Sequence, residues 1–395
     1  MKSPLPRDQR HQLPRPDADA LAHSERLVAN IRNAIDAAGG WIGFDRFMDM
    51  ALYAPGLGYY TAGARKFGPA GDFVTAPEIS PLFGRCLARQ IAEVLRETGG
   101  SVLELGPGSG KLAEDIMAEL AALRTPPEKY LLLEVSADLR ERQRERLSTH
   151  SEYSRMHWLD ELPRDFTGVI VANEVLDVLP VHLVTYQQDW AFERGVALDA
   201  TGAFMWKDKL IESGPLVSLA PGIASRHFAG QPPQGYLTEI SPQCAAWTRT
   251  LTRSLKRGAI LLIDYGFRAA EYYHPSRAGG TLMCHYRHHA HPDPFHLPGL
   301  QDITAHVDFT AVAEAAAAEG AEVLGYTTQA AFLLAGGLAA LMQEVDASDP
   351  ARYLPITTQA QRLISPAEMG EFFKVIGLGK GVVTPSGFGG RPLPL

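Results

Sequence analysis

The stretch Val102-Leu-Glu-Leu-Gly-Pro-Gly-Ser-Gly-Lys-Leu112 decides the fold of this 395-residue chain. A short apolar run ends at Leu105, Gly106, Gly108 and Gly110 follow at every second position, and Lys111 opens a helical pattern. Glycines at such a turn let the backbone approach a ligand closely and take conformations that a β-carbon disfavours. Working outward, apolar runs bounded by turn signals recur at Tyr130–Val135, Val169–Ala172 and Ala259–Ile263. Helical stretches lie between the first three, at Lys111–Leu123 and at Ala137–Leu147 behind Ser136 as N-cap. This alternation predicts an α/β fold: a mainly parallel sheet with right-handed crossovers and helices on both faces. Leu183–Gln187 and Trp190–Ala197, split by Gln188-Asp189, predict an inserted β-hairpin. Regular order lapses after Asp264 until an Ala-rich helix at Thr310–Glu319. Strands at Glu322–Thr327 and Phe373–Leu378 follow, separated by a helix at Ala331–Gln343.

Upstream, residues 1–22 are polar with four prolines and predict a flexible tail. Ser24 is placed to cap a helix in which Leu27, Ile31 and Ile35 line one face. Phe44 to Gly84 is dense in Gly, Pro and aromatics, the composition of a functional loop rather than a solvated linker. Phe83–Leu95 reads as a helix with Leu87, Ile91 and Leu95 four apart. The expected organisation is therefore a tail at 1–22, a helical and loop cap at 23–98, and a core at 99–395 with insertions at about 182–245 and 268–308.

Composition excludes several classes. Apolar types at 46% and charged types at 21% suit a chain with a sizeable core. A net charge of −8 argues against non-specific nucleic-acid binding, which needs basic surface to displace counterions. Cys86, Cys244 and Cys284 show no disulfide or zinc spacing. Ala330–Met342 is too short to span a bilayer, and the N-terminus lacks the apolar stretch of a secretory signal. The expectation is a cytoplasmic protein without membrane insertion.

Three nucleotide readings compete for the glycine loop. A phosphate-binding P-loop fails twice, because Leu105 stands where Gly is needed and Leu112 where Ser or Thr is needed. A dinucleotide fingerprint can be laid on Gly108 to Ala113, but it starts three residues past the strand, and Pro107 removes one amide donor. The third pattern is Glu104-x-Gly106-x-Gly108-x-Gly110. It suits S-adenosylmethionine, whose sulfonium and α-amino group are cationic, so a carboxylate at the strand end attracts it and would repel a phosphate. Glu134, ending the second run, can accept both ribose hydroxyls; as the bland alternative, the glycines only make a turn and Glu134 is a surface acid.

Asn173-Glu174-Val-Leu-Asp177 ends the third run at the carboxyl edge of the sheet, where ligands of open α/β folds bind. Glu174 and Asp177 can hold a guanidinium or ammonium; alternatively Asn173 and Asp177 cap the next helix. Asp160 can reach an adenine amino group or be a plain loop acid. The loop Gly71–Ser80, with Asp72 and Glu78, is expected to close over the cofactor and exclude water. Six of the 13 histidines fall between His285 and His306, but their spacing fits no zinc arrangement, and Pro292, Pro294 and Pro298 predict an extended loop. No metal is expected. His306 and Asp308, ahead of a helix, are candidates for substrate contact or loop anchoring. The alternating Arg140, Arg142, Arg144 and Arg146 read as a solvated helix face.

GLGYYTAG, FGPAGDFVTAPEISPLFG, VLELGPGSGKLAEDI, ANEVLDVLPV, IDYG, QDITAHVDF and LGYTTQAAFLLAGG together resemble the MidA-type methyltransferases, in the same order from about Leu52 to Gly381. That resemblance implies a class I, Rossmann-like fold, S-adenosyl-L-methionine as cofactor, and protein arginine methylation giving symmetric dimethylarginine. It further implies a core subunit of respiratory complex I as protein partner, and the mitochondrial matrix as location for eukaryotic members. Glu104, Gly106, Gly108, Gly110 and Glu134 fall on its cofactor motif, and Asn173, Glu174 and Asp177 on the motif facing the acceptor. His285 and Leu300 depart from the family pattern and leave the role of that loop open. Two other function classes stay in view: a non-catalytic S-adenosylmethionine-binding assembly chaperone and a nicotinamide dehydrogenase. The oligomeric state is not legible.

Overall fold

The computed structural model describes residues 13–62, 75–188, 190–389 and 394–395. They fall into two compact units interleaved along the chain: Met1–Phe73, Leu176–Ala245 and Phe267–His306 in the first, and Val74–Val175, Ala246–Gly266 and Val307–Leu395 in the second.

The second unit is an eight-stranded sheet. Its strands are β1 (Ser101–Leu105), β2 (Tyr130–Leu133), β3 (Met156–Leu159), β4 (Phe166–Asn173), β5 (Leu255–Phe267), β6 (Val307–Asp308), β7 (Glu322–Thr328) and β8 (Phe373–Lys380). The order is β7-β8-β5-β4-β1-β2-β3, with β6 paired to β5. β3, β2, β1, β4 and β5 run parallel, and β8 pairs antiparallel with β5 and β7. The parallel strands read as unbroken apolar runs because both faces are covered. Strand order reverses beside β1, which opens a crevice at the carboxyl ends of β1 and β4.

Helices α1 (Pro81–Thr98), α2 (Lys111–Ala122) and α3 (Ala137–Leu147) belong to this unit. Leu87, Ile91 and Leu95 of α1 and Ile116 and Leu120 of α2 are buried in one cluster with Val102, Leu132, Val169 and Leu261. Burying each such side chain stabilises the fold by roughly 1.5–3 kcal/mol. Helix α1 is thus part of the sheet unit's core, so the expected cap does not extend to residue 98. The expected Ala331–Gln343 helix is two helices, Gln329–Ala335 and Leu338–Gln343. The chain breaks between them because Gly337 takes a left-handed φ of 97°.

The first unit holds a five-stranded sheet in which Ile42–Gly43, Trp190–Leu198, His182–Gln187 and Tyr236–Ile240 are neighbours in that order. Phe204–Leu210 pairs with Trp190–Leu198. The expected hairpin is present as the antiparallel pair His182–Gln187 and Trp190–Leu198. Phe44–Tyr53, read from sequence as the start of a loop, is a helix that buries Phe44, Phe47, Met48, Ala51 and Leu52. The helix predicted behind Ser24 starts earlier, at Ala18, so the tail does not reach residue 22. Asp17 caps it by accepting from the Ala20 N–H at 2.8 Å, while Ser24 is buried and donates to the Pro298 carbonyl. The histidine-rich stretch is not one extended loop. Its strands Met283–Tyr286 and His289–His291 form an antiparallel pair, with Asp302–Thr304 on the other side of the first. Among the described residues no helix is long and apolar enough to cross a membrane.

Candidate active site

Glu104 lies on β1, 2% exposed, and accepts a 2.6 Å hydrogen bond from the Tyr130 hydroxyl. Burial pushes its carboxyl up to about 7; the Tyr130 bond opposes the rise and the negative field of Glu134 adds to it. The loop after β1 needs its glycines. Gly106, Gly108 and Gly110 have φ of 60°, 53° and 80°, in the left-handed region where a β-carbon is disfavoured. A β-carbon on Gly106 would also lie 2.9 Å from Val175 Cγ2, so the loop and the turn after β4 touch.

Glu134 follows β2. It accepts from the Ser136 N–H at 2.8 Å through one oxygen and from the Gln143 side-chain amide at 3.3 Å through the other. Ser136 caps α3, as its position suggested. Glu78 accepts from the Ser109 hydroxyl in the glycine loop. Asp72 lies outside the described residues. Lys111, the cation nearest the loop in sequence, is turned to Asp115 and, at 3.5 Å, to Glu114.

At the end of β4, Glu174 has a left-handed φ of 54° and donates its N–H to the Ile263 carbonyl at 2.9 Å. Holding a non-glycine residue there costs on the order of 1–3 kcal/mol, the kind of backbone strain that clusters at functional sites. Its carboxylate accepts from the Asn173 amide at 3.0 Å. The Asn173 Oδ1 is buried with no hydrogen-bond partner among the described residues. A buried acceptor in this state is available to a donor from a ligand or a water.

The other expected site residues have the following surroundings. Asp160 is 89% exposed in its side chain and ion-paired with Arg140 at 2.7 Å. Asp308 caps the helix Phe309–Ala317, accepting from the N–H groups of Thr310 and Ala311 at 3.0 and 3.2 Å. Asp177 belongs to the first unit, where it is 3% exposed, and its carbonyl accepts from the Ala305 N–H. The Asp177 charge is one of several that raise the Tyr60 hydroxyl's pKa, behind burial and Asp302. His306, also in the first unit, packs its ring 5.2 Å from Phe267 and donates its N–H to Thr281 Oγ1 at 3.0 Å.

The first unit also contains Asp45, His182 and Glu193, whose ligand atoms lie within 4.8 Å of one another. Their wide separation along the chain hides this group from a reading of the sequence. His182 Nδ1 is 2.6 Å from Glu193 and 3.5 Å from Asp45, the arrangement of an ion-paired imidazole.

Sequence reasoning missed Gln143. It is fully buried between Leu139 and Leu147, and its side chain binds both the glycine loop and Glu134. The signal was an uncharged residue in Arg-Glu-Arg-Gln-Arg-Glu-Arg at spacing of four from two leucines.

The polar side chains gathered around the loop are therefore mainly acceptors: Glu78, Glu134 and the Asn173 carbonyl, with Glu104 buried beneath. Such a set suits an ammonium, a sulfonium and ribose hydroxyls, and does not suit a pyrophosphate. Residues 86–327 match the model of a family described as "Putative S-adenosyl-L-methionine-dependent methyltransferase". The chain belongs to this methyltransferase family. The methyltransferase is 48% identical to a Burkholderia thailandensis protein crystallised with bound S-adenosyl-homocysteine, with a TM-score of 0.92 over 96% of this chain and 99% of that one. It is 28% identical to the Danio rerio "Protein arginine methyltransferase NDUFAF7, mitochondrial", over 89% of this chain and 86% of the relative. The Caenorhabditis elegans "Protein arginine methyltransferase NDUFAF7 homolog, mitochondrial" is 29% identical over 72% of this chain and 69% of its own length. The class I fold expected from the sequence is the observed one, and S-adenosyl-L-methionine is the methyltransferase's cofactor.

Proposed function

We propose that this methyltransferase modifies arginine side chains of a protein, the activity named for its relatives in zebrafish and nematode. The observation that carries the proposal is the acidic turn after β4. Glu174 is held in a strained conformation beside Asn173, and the adjoining Val175 packs against Gly106 of the glycine loop. The turn thus offers a carboxylate for a cationic acceptor next to the loop that receives the methyl donor.

Glu104, Gly106, Gly108, Gly110, Glu134, Asn173 and Glu78 would hold the cofactor, with Asp160 kept as a candidate at the adenine end. When bound, S-adenosylmethionine supplies an electrophilic methyl group and leaves as S-adenosyl-homocysteine. The protein's own task is alignment, and positioning of this kind contributes up to roughly 7–11 kcal/mol. A guanidinium is a poor nucleophile because it stays protonated. Glu174 would bind it through the far nitrogens, leave the attacking nitrogen with more electron density, and take up the proton released as the new bond forms. Asp177 is the second candidate carboxylate, carried forward on its place in the motif, and His306 is a candidate for substrate contact.

From the family resemblance we take the acceptor to be a core subunit of respiratory complex I and the product to be symmetric dimethylarginine. The site of action is then the bacterial cytoplasm or the mitochondrial matrix, where such a subunit is assembled. The test is incubation with isotope-labelled S-adenosylmethionine and an extract from cells lacking this protein, followed by mass spectrometry. Label on arginine supports the proposal. Label confined to another residue type, or to small molecules, overturns it.

A further inference from the structure

Helix α3 displays arginines and glutamates on most of its surface, yet Gln143 in its middle is 0% exposed. Three different elements meet at its carboxamide. The nitrogen donates to the Gly108 carbonyl of the glycine loop at 2.8 Å and to Glu134 Oε2 at 3.3 Å. The oxygen accepts from the Trp158 indole N–H of β3 at 2.8 Å. The fit is close: a β-carbon on Gly110 would lie 3.4 Å from Gln143 Cγ.

The chemistry of these partners selects a carboxamide. Gly108 and Glu134 present acceptors and require a donor, whereas Trp158 presents a donor and requires an acceptor. A glutamate would set its own charge against Glu134, and an apolar residue would remove three hydrogen bonds at once, one of them to the buried Glu134 carboxylate.

We infer that Gln143 is a positioning residue for cofactor binding, fixing the Gly108 carbonyl and the Glu134 carboxylate in one frame that receives the nucleoside end of S-adenosylmethionine. This rests on the reading of Glu134 as the ribose-binding acid. Gln143 acts through Glu134 and the loop and has no part in the acceptor chemistry. Its loss is therefore felt as cofactor affinity, with a much smaller effect on turnover at saturating cofactor.

The test is calorimetric titration of the full-length protein with S-adenosyl-homocysteine and with its 2′,3′-dideoxyribose analogue, on wild type, Gln143→Leu, Glu134→Gln and the double variant. Gln143→Leu is expected to weaken S-adenosyl-homocysteine binding roughly 10- to 100-fold, the range for removing a buried bond to a charged group. The double variant is expected to lose less than the product of the single losses, and Gln143→Leu to discriminate less between the two ligands than wild type does. KM for S-adenosylmethionine should rise by a similar factor while kcat changes less than threefold. If Gln143→Leu does not fold, Gln143→Met fills the same space and Trp158→Phe releases only the carboxamide oxygen; both should weaken binding. Affinity within twofold of wild type in folded variants overturns the inference and leaves Gln143 as packing. A Glu134→Gln variant that binds normally, beside a weakened Gln143→Leu, overturns the ribose reading of Glu134 instead.

Discussion

Replacing Glu104 with Gln tests the electrostatics of the site. Gln keeps an acceptor for the Tyr130 hydroxyl, now 2.6 Å from Glu104 Oε2, and removes only the ionisable group. The Glu104 pKa rises from 4.5 to about 7 on folding, chiefly because burial penalises the charged form. At 1.36 kcal/mol per unit, this corresponds to about 3 kcal/mol. The sign follows from linkage. Between pH 4.5 and 7 the folded state binds the Glu104 proton more tightly than the unfolded chain, so this group's contribution falls as pH rises across that window. It is absent below the unfolded value and reaches its full cost above pH 7. Chemical denaturation across this range should show the wild type losing about 3 kcal/mol relative to Glu104→Gln. A cationic ligand reverses the burden by favouring the carboxylate. Titration of wild type with S-adenosylmethionine at pH 7, in buffers of different ionisation enthalpy, should therefore release about half a proton. Glu104→Gln should release none and bind at least about tenfold more weakly. A gap between the two proteins that does not change with pH, or binding without proton release, would refute the reasoning.

Three further outcomes are expected. Glu174→Gln should bind S-adenosyl-homocysteine within about threefold of wild type yet lose about a hundredfold or more in turnover; an unchanged rate removes Glu174 from the chemistry. Asp308→Ala deletes the cap of Phe309–Ala317 and should lower stability by about 1 kcal/mol, read as a fall in Tm, with methylation per folded molecule unchanged. For His182, burial lowers the pKa but Glu193 and Asp45 outweigh it, so the folded value is raised. Its stabilisation is complete below the unfolded pKa and disappears as pH rises through the folded one. The Tm difference between wild type and His182→Asn should shrink over that range, and a constant difference would show that no charge is involved.

The sheet unit was legible because its central strands are buried on both faces, so Tyr130–Leu132, Val169–Ala172 and Ala259–Ile263 stand out as short apolar runs between turns. The glycine loop was legible because three left-handed residues at alternate positions leave little choice of residue type. The first unit was harder. Its Ile42–Gly43 strand has two residues, and Phe44–Tyr53 runs straight into a Gly- and Pro-rich stretch that hides the end of the helix. Asp308 stood out ahead of a helical stretch, but capping and substrate contact use the same side chain, so the residue type alone does not separate the two roles. Gln143 was hidden because its partners Gly108, Glu134 and Trp158 come from three separate stretches. No local pattern shows a bond that only tertiary structure creates.

The central claim is that the glycine loop, Glu104 and Glu134 form the methyl donor's site. A crystal structure of this protein grown with S-adenosyl-homocysteine tests it directly. The account predicts the homocysteine limb against residues 106–110 and the ribose hydroxyls on Glu134. Ligand bound away from the loop, or a ribose that makes no contact with Glu134, would contradict it.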